Sequence, residues 1–235
     1  MRLFRNLLLG LIFALLATAA FALWHPRSTL PDAWHPFRPL DITHEITPLT
    51  QYKLREALLS GEACMATLAT GAEFLRMPDF TSSDVCHIRD RIELRSVVGV
   101  QVAPVETRCQ TALRLAMWTE HGIKPAAEAH FARELTRIRH NSSYSCRAIR
   151  TTSGNSNRMS THATAESIDI SGVELSDGRR LLLIEGWYAN DERSAFFKDI
   201  RDSACSWFRV TLGPEYNRLH ADHFHLQHTG WGLCR

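Results

Sequence analysis

Three histidines and an aspartate lie close together near the end of the chain, in residues 220–227, HADHFHLQ. If this stretch ends in a strand, His223 and His225 share one face while Phe224 and Leu226 enter the core. Two imidazoles side by side are costly to bury unless a partner satisfies their nitrogen atoms. The stretch therefore indicates either a rim of partly exposed histidines or one part of a metal site.

A second polar stretch, residues 160–171 (STHATAESIDIS), carries one histidine and one aspartate seven positions apart, His162 and Asp169. Period-two alternation puts Ile168 and Ile170 on the buried face of a strand and Asp169 on the other face. A loop that folds back over this strand would bring His162 to Asp169. Taken alone, the pair favours a surface loop histidine and a turn-capping aspartate.

Taken together, the two stretches predict one metal site formed by His162, Asp169 and His225. Three protein ligands leave a fourth position open, which is typical of a catalytic rather than a structural zinc ion. Such an ion activates water near neutral pH, although a base and an oxyanion-stabilising cation are still needed. Zinc is the preferred metal, while manganese and iron also suit mixed nitrogen and oxygen ligands.

The pattern S-x-H-x(6)-D followed by H-x-H resembles the LAS metallopeptidases, which include lysostaphin-type enzymes, D-Ala-D-Ala carboxypeptidases and the Hedgehog fold. From about Cys64 onward, the chain more closely resembles the extensin-like C-terminal domain of bacterial proteins. The segments that carry this resemblance are YSCR (144–147), MSTHATAESIDISGVELSDGR (159–179), EGW (185–187), LGPEYN (212–217) and HADHFHL (220–226). The resemblance implies a Hedgehog/D-Ala-D-Ala-peptidase-like fold and a zinc peptidase acting on peptidoglycan stem peptides.

The resemblance also assigns roles to individual residues. His162, Asp169 and His225 fall on the zinc-ligand positions, and Asp222 falls where many carboxypeptidase relatives keep their acidic general base. His223 matches the first histidine of H-x-H, which other members place beside the metal-bound water. Strand parity alone favours His223, because an ideal strand turns Asp222 away from the site, but a bend at the start of the strand would reverse this. The resemblance therefore gives Asp222 the role of general base, with His223 acting beside it.

Arg147 in YSCR resembles the relatives' arginine that faces the substrate carbonyl, and a guanidinium suits a carboxylate or an oxyanion. A surface arginine beside a disulfide is the alternative. Ser160 is expected to pin the loop that aims His162. The relatives usually have S-x-H-x-x-G-x-A-x-D, whereas Ala165 and Ser167 stand at the Gly and Ala places here. This departure makes activity less secure than metal binding if the glycine place requires a positive φ.

The first 24 residues read as an export segment, because Arg2 and Arg5 precede an uncharged apolar run over residues 7–24. The segment is either a cleaved signal peptide or an N-terminal transmembrane anchor, for which the run is nearly long enough. It predicts a location in the cell envelope, with a periplasmic domain anchored to the inner membrane or secreted. Residues 25–50 read as a proline-rich arm on the domain surface, and residues 51–235 as the domain.

Length and composition fit one globular domain, and a formal charge of +2 over 235 residues gives no reason to expect a nucleic-acid partner. The six cysteines occur singly, without CxxC pairs, and in an exported chain they predict three disulfides. Pairing between neighbours is expected: Cys64–Cys86, Cys109–Cys146 and Cys205–Cys234.

Hydrophobic periodicity predicts helices early in the chain and short strands late, which makes an α+β domain with helices packed on a small antiparallel sheet. The expected helices cover residues 52–70, 107–121, 125–140 and 191–205. The expected strands cover residues 91–102, 143–150, 167–173, 180–187, 208–212 and 223–227, with an Asp177-Gly178 turn.

Two other interpretations remain open beside the zinc peptidase. One is a non-catalytic zinc-containing envelope domain that binds peptidoglycan or a protein partner. The other is a disulfide-stapled domain without a metal.

Overall fold

The computed structural model of the chain describes residues 2–24 and 30–235. Its α-helices are α1 (Arg2–Trp24), α2 (Thr50–Ala57), α3 (Gly61–Leu68), α4 (Cys109–Trp118), α5 (Lys124–Phe131), α6 (Leu183–Gly186) and α7 (Glu192–Trp207). Its strands are β1 (Ala72–Arg76), β2 (Phe80–Ser83), β3 (Cys86–Ile88), β4 (Arg91–Val97), β5 (Val100–Arg108), β6 (Leu135–Ser142), β7 (Ala148–Thr151), β8 (Gly154–Met159), β9 (Ser167–Leu175), β10 (Arg180–Leu182), β11 (Val210–Leu212), β12 (Phe224–Gln227) and β13 (Leu233–Cys234). The expected α+β class is confirmed.

The main sheet runs in the order β1-β4-β5-β6-β9-β12-β11-β13, and β10 also pairs with β9. Most neighbours are antiparallel, but β5 pairs parallel with β6 and β11 pairs parallel with β13. The sheet is therefore larger than expected and mixed rather than purely antiparallel. Strand β9 lies at its centre, paired with β6 on one side and with β12 and β10 on the other.

The parallel pair β5–β6 requires a crossover, which is made by α4, a π-helical turn over Thr119–Ile123, and α5. Helix α4 is buried among the other helices and the sheet at every residue except Arg114. The helix expected over residues 125–140 ends at Phe131, because Ala132 takes a left-handed conformation with φ 48°. Residues 135–140, which we expected to be helical, belong to strand β6 instead.

Other expected elements differ in their bounds. The helix over residues 52–70 is interrupted between α2 and α3, where Ser60 caps α3 by accepting a hydrogen bond from the Ala63 amide. The strand over residues 91–102 is a hairpin of β4 and β5 that turns at Val98 and Gly99, both with positive φ. In residues 143–150 only the last positions belong to a strand, β7. Strand β10 ends at Leu182, so the strand expected through residue 187 was wrong in its second half.

The central and C-terminal elements match the expectation most closely. Strand β9 and the hairpin turn to β10 are confirmed, with φ 85° at Gly178. Helix α7 is confirmed, and its N-terminus is capped by Asp191, which accepts from the Arg193 amide. Strands β11 and β12 also occur where the alternation predicted them.

All six cysteines form disulfides, but the expected neighbour pairing was wrong for two of the three bonds. The observed pairs are Cys64–Cys109, Cys86–Cys146 and Cys205–Cys234. Helix α3 packs on α4, so Cys64 meets Cys109 at the start of α4 instead of Cys86. Cys86 on β3 is left to join Cys146, beside the predicted substrate arginine.

The first 50 residues consist of helix α1 and an arm whose described part packs on the domain. Within the described residues, α1 is the one helix whose length and apolar composition suit a membrane span, and a signal sequence would have the same properties. Residues 25–29 of the expected arm lie outside the described residues. The remainder of the arm lies on the domain, and Leu40 and Ile42 enter the core.

Strand β9 leaves no room for a side chain at Gly172, because a Cβ there would lie 2.2 Å from the Leu181 carbonyl oxygen on β10. We expect Gly172→Ala to lower the free energy of unfolding by about 1–3 kcal/mol, since the backbone must shift to relieve this clash. Chemical unfolding with intact disulfides measures the change. Ser171→Ala, one position away, is the control and should change stability by less than about 0.5 kcal/mol. Equal stability of the two variants would contradict this packing.

Candidate metal centre

The register of β9 against β12 places Asp169 directly opposite His225. Residues opposite one another in an antiparallel pair point to the same face, so the carboxylate and the imidazole meet without any loop. On the other face Ile168 and Ile170 face Leu226 and Phe224, and all four are buried. The apolar contacts thus fix the register that brings the two polar side chains together.

His162 reaches the same place from a short 3-10 turn, Thr161–Thr164, between β8 and β9. The Ser160 side chain caps this turn by accepting from the His162 amide. The His162 ring is buried, and its Nδ1 donates to the Ser143 carbonyl oxygen at 2.8 Å. Because a carbonyl only accepts, this bond puts the ring proton on Nδ1 and leaves Nε2 facing Asp169.

The predicted ligands His162, Asp169 and His225 converge, with one candidate ligand atom from each lying within 4.8 Å of the others. His162 Nε2 lies 3.2 Å from Asp169 Oδ2 and 3.1 Å from His225 Nδ1. His225 Nδ1 lies 2.9 Å from Asp169 Oδ1. Two imidazole nitrogens and a carboxylate are a donor set that zinc accepts.

The cluster has more acceptors than donors, which makes a cation a good fit. If His225 Nδ1 donates to Asp169, the free lone pair of neutral His162 faces the other Asp169 oxygen, and two lone pairs meet unless a proton or a metal ion lies between them. Burial by itself raises the pKa of Asp169. The adjacent His162 and His225 rings outweigh burial and hold that pKa well below its usual range, so the carboxylate is ionised.

Asp222 and His223 form a pair at the edge of the cluster. Asp222 Oδ1 accepts from His223 Nδ1 at 2.7 Å, and His223 Nε2 lies 3.7 Å from Asp169 Oδ2. The Asp222 side chain is 60% exposed, whereas that of His223 is 15% exposed. The carboxylate therefore orients the imidazole, and the imidazole is the member of the pair that faces the cluster.

The cluster lines an open cleft of about 720 Å³, whose wall also includes Arg147, Asp222 and His223. All six predicted site residues line this one cleft. Arg147 donates to the Ala148 carbonyl oxygen at 3.3 Å, and no carboxylate pairs with it among the described residues. Its guanidinium is thus available to a ligand.

Sequence reasoning assigned no role to His220, which also lines the cleft. Its Nδ1 donates to Asn217 Oδ1 at 2.8 Å, and its ring packs against those of His223 and His225. Burial, together with smaller contributions from the neighbouring His223 and His225, lowers the pKa of His220 to about 4. The clustering of histidines in HADHFHLQ was the available signal for this residue.

A buried polar network supports the turn that carries His162. Ser143 Oγ donates to the Ser167 carbonyl oxygen at 2.7 Å, on the first residue of β9. Thr111 Oγ1 donates to the Ala165 carbonyl oxygen at 2.9 Å and contacts His228 Nδ1 at 2.9 Å. Ala165, at the glycine place of the motif, is buried with φ 52°, which is the conformation that favours glycine.

The observations define an α+β domain with three disulfides and a His-Asp-His cluster at the base of a cleft. This chain belongs to the Extensin-like protein C-terminus family, whose model matches residues 62–235. No curated protein sequence and no solved structure matches the chain significantly. An N-terminal apolar helix and disulfides are compatible with secretion or an envelope location.

The support network predicts a pH dependence of stability. Burial lowers the pKa of His228 to about 3, and the charges of Arg108 and Arg114 contribute to this shift. The folded state therefore keeps the ring neutral, while the unfolded chain binds a proton below its ordinary value of 6.5. Stability from this group is complete above pH 6.5 and is lost as the pH falls toward 3.

We expect His228→Gln, which stays neutral and keeps a polar group near Thr111, to flatten this dependence. Between pH 7 and pH 4 the unchanged protein should lose about 3 kcal/mol more stability than the variant. Chemical unfolding at both pH values measures the difference, which also cancels contributions from other groups. Parallel losses in the two proteins would show that His228 does not titrate on unfolding.

Proposed function

We propose that this chain is a zinc-dependent peptidase of the bacterial cell envelope that hydrolyses bonds in peptidoglycan stem peptides. The observation that carries the proposal is the convergence of His162, Asp169 and His225 at the base of an open cleft. Their mixed nitrogen and oxygen donors fit zinc, and they also accept manganese or iron. The open cleft favours a catalytic site, because a structural zinc ion is enclosed by four protein ligands.

We propose that the chain is related to the LAS metallopeptidases and shares a Hedgehog/D-Ala-D-Ala-peptidase-like fold. The motif supports this relation, and the structure accommodates the two residues that depart from it, Ala165 and Ser167. Ala165 adopts the left-handed conformation that would explain a glycine in relatives. Ser167 is buried, and its Oγ accepts from Thr161 Oγ1 at 3.1 Å. Neither substitution removes a ligand from the cluster, so both departures are compatible with a working site.

When bound, the metal ion supplies Lewis acidity at the open side of the cluster. His223 Nε2 is the proton acceptor that the geometry favours, since Asp222 holds its Nδ1 proton. It takes a proton from water as the water oxygen bonds to the scissile carbonyl carbon. It then returns a proton to the peptide nitrogen as the C–N bond breaks. Direct proton transfer to Asp222, the base implied by the resemblance, is the other route.

Arg147 completes the proposed machinery by binding the substrate. Its guanidinium lines the cleft without a carboxylate partner among the described residues, so it is free to donate to a carbonyl oxygen or a peptide carboxylate. The substrate class agrees with the proposed compartment. If α1 is retained as an inner-membrane anchor, it holds the domain beside the wall.

Metal binding is tested with the full-length chain purified in a non-ionic detergent. We expect about one divalent ion per chain, with zinc preferred. Elemental analysis and a competition titration should show that His162→Ala weakens zinc binding at least about 100-fold. Loss of a residue that only orients a ligand costs up to about 100-fold, and His162 is itself a proposed ligand. His44→Ala, outside the cleft, is the control. A chain that binds no divalent ion, or a His162→Ala variant that binds zinc as tightly, would contradict the metal centre.

Turnover is tested on purified muropeptides, with mass spectrometry of the products. We expect Asp222→Asn and His223→Gln to keep zinc and to lower kcat/KM by about 10² to 10⁴, the usual contribution of general acid–base catalysis. Asp84→Asn, in the exposed turn between β2 and β3, should match the unchanged protein. If a zinc-loaded chain binds peptidoglycan but leaves every muropeptide intact, the non-catalytic binding module replaces the peptidase.

A further inference from the structure

A second cavity, of about 340 Å³, lies where α2, α4 and the C-terminal end of α7 meet. It shares no lining residue with the cleft of the metal centre. Three arginines, Arg55, Arg114 and Arg209, line it, and its lining contains no aspartate or glutamate. The cavity is therefore a small concave surface of one charge sign.

Arg114 is the inner arginine of this cavity. It extends from α4 and donates from one terminal nitrogen to the Trp207 carbonyl oxygen at the end of α7. Its Nε is buried and has no hydrogen-bond partner. Burial, together with a smaller contribution from the charge of Arg209, lowers the pKa of Arg114 to about 10. This positive charge thus lies close to another positive charge, with no carboxylate contributing.

The two outer arginines are exposed and largely unpartnered. The side chain of Arg55 on α2 has no hydrogen bond or ion pair with any residue in the ranges 2–24 and 30–235. Arg209 uses its Nε to donate to the Gly230 carbonyl oxygen at 3.2 Å, and its terminal nitrogens have no partner in the same ranges. Elsewhere arginines commonly pair with acids, as Arg91 does with Glu106 at 2.5 Å and Arg108 with Glu166 at 2.9 Å.

We propose that this cavity binds a phosphate group through Arg55, Arg114 and Arg209. The three side chains come from different elements, so their donors approach from several directions. A tetrahedral group with several anionic oxygens can accept from all of them, whereas a planar carboxylate offers only two oxygens. The volume excludes a large ligand but admits an inorganic phosphate or a single headgroup.

Apolar side chains around the arginines strengthen the proposed site. Leu54, Leu58 and Leu59 also line the cavity, which lowers the local dielectric constant and strengthens each charge-assisted contact. Leu59 is 72% exposed, so it is available to contact the carbon atoms that adjoin a lipid phosphate. A lipid headgroup and free phosphate share the chemistry that the arginines recognise.

The first experiment is a calorimetric titration of inorganic phosphate into the full-length chain in a non-ionic detergent. We expect saturable binding that weakens as salt is added, because two of the arginines are exposed. The double variant Arg55→Gln/Arg209→Gln should lower affinity about tenfold or more, since each loses a charge-assisted contact. Both residues lie on the surface, so the variant keeps the fold. Arg158→Gln/Arg180→Gln, which changes two other exposed arginines outside the cavity, is the charge-matched control.

Three results would overturn the proposal: no saturable phosphate binding, equal affinity of Arg55→Gln/Arg209→Gln and the control Arg158→Gln/Arg180→Gln, or displacement of phosphate by an equal concentration of acetate. The last result would mean that the arginines do not select a tetrahedral anion. Loss of peptidase activity plays no part in this test, so its outcome is independent of the proposed function.

The second experiment distinguishes the two sources of phosphate. Hydrogen exchange of residues 51–59 and 205–210 is measured for the full-length chain in bilayer discs that contain phosphatidic acid, and in discs of a neutral glycolipid without phosphate. Slower exchange in the phosphatidic acid discs alone, abolished by Arg55→Gln/Arg209→Gln, identifies a lipid headgroup. Equal exchange in both discs, together with calorimetric phosphate binding, identifies a soluble phosphate.

Discussion

The pairing of β9 with β12 is the constraint on which the candidate site depends. It sets Asp169 opposite His225, and the register is held by four apolar side chains on the opposite face of the two strands. A shift by one residue would bury the polar pair in the core and expose the apolar set, at a large cost in free energy. The geometry of the cleft is therefore specified by burial of hydrophobic residues on the opposite face of the sheet.

Much of the site could be predicted from sequence because its residues lie on strands with clear alternation. The pattern IDIS defines the direction of Asp169, and HFHLQ defines that of His223 and His225, without knowledge of the fold. The contact of His162 with the cluster required more, since it depends on a turn and on the Ser143 carbonyl, which precedes it by 19 positions. This hydrogen bond joins residues that are distant in sequence, so it produces no periodic pattern from which it could be predicted.

The errors in the predicted fold have a similar origin. Helix α5 ends where Ala132 takes a left-handed conformation. A glycine at this position would have predicted the end of the helix, whereas an alanine gives no such signal. The disulfide pairs follow the packing of α3 on α4 and the path of β3, and separations of 45 and 60 residues give no hint of either. Local sequence patterns thus predicted the strands of the site correctly, but they did not predict where the crossover helix α5 ends or which cysteines pair.

The Cys86–Cys146 bond joins β3 to the short segment that holds both Ser143, whose carbonyl orients His162, and Arg147. Thiols stay reduced in the cytoplasm and oxidise after export. A newly made chain would therefore lack this covalent tie until it leaves the compartment of its synthesis. If the chain is exported, the cleft therefore acquires its last covalent constraint only in an oxidising compartment.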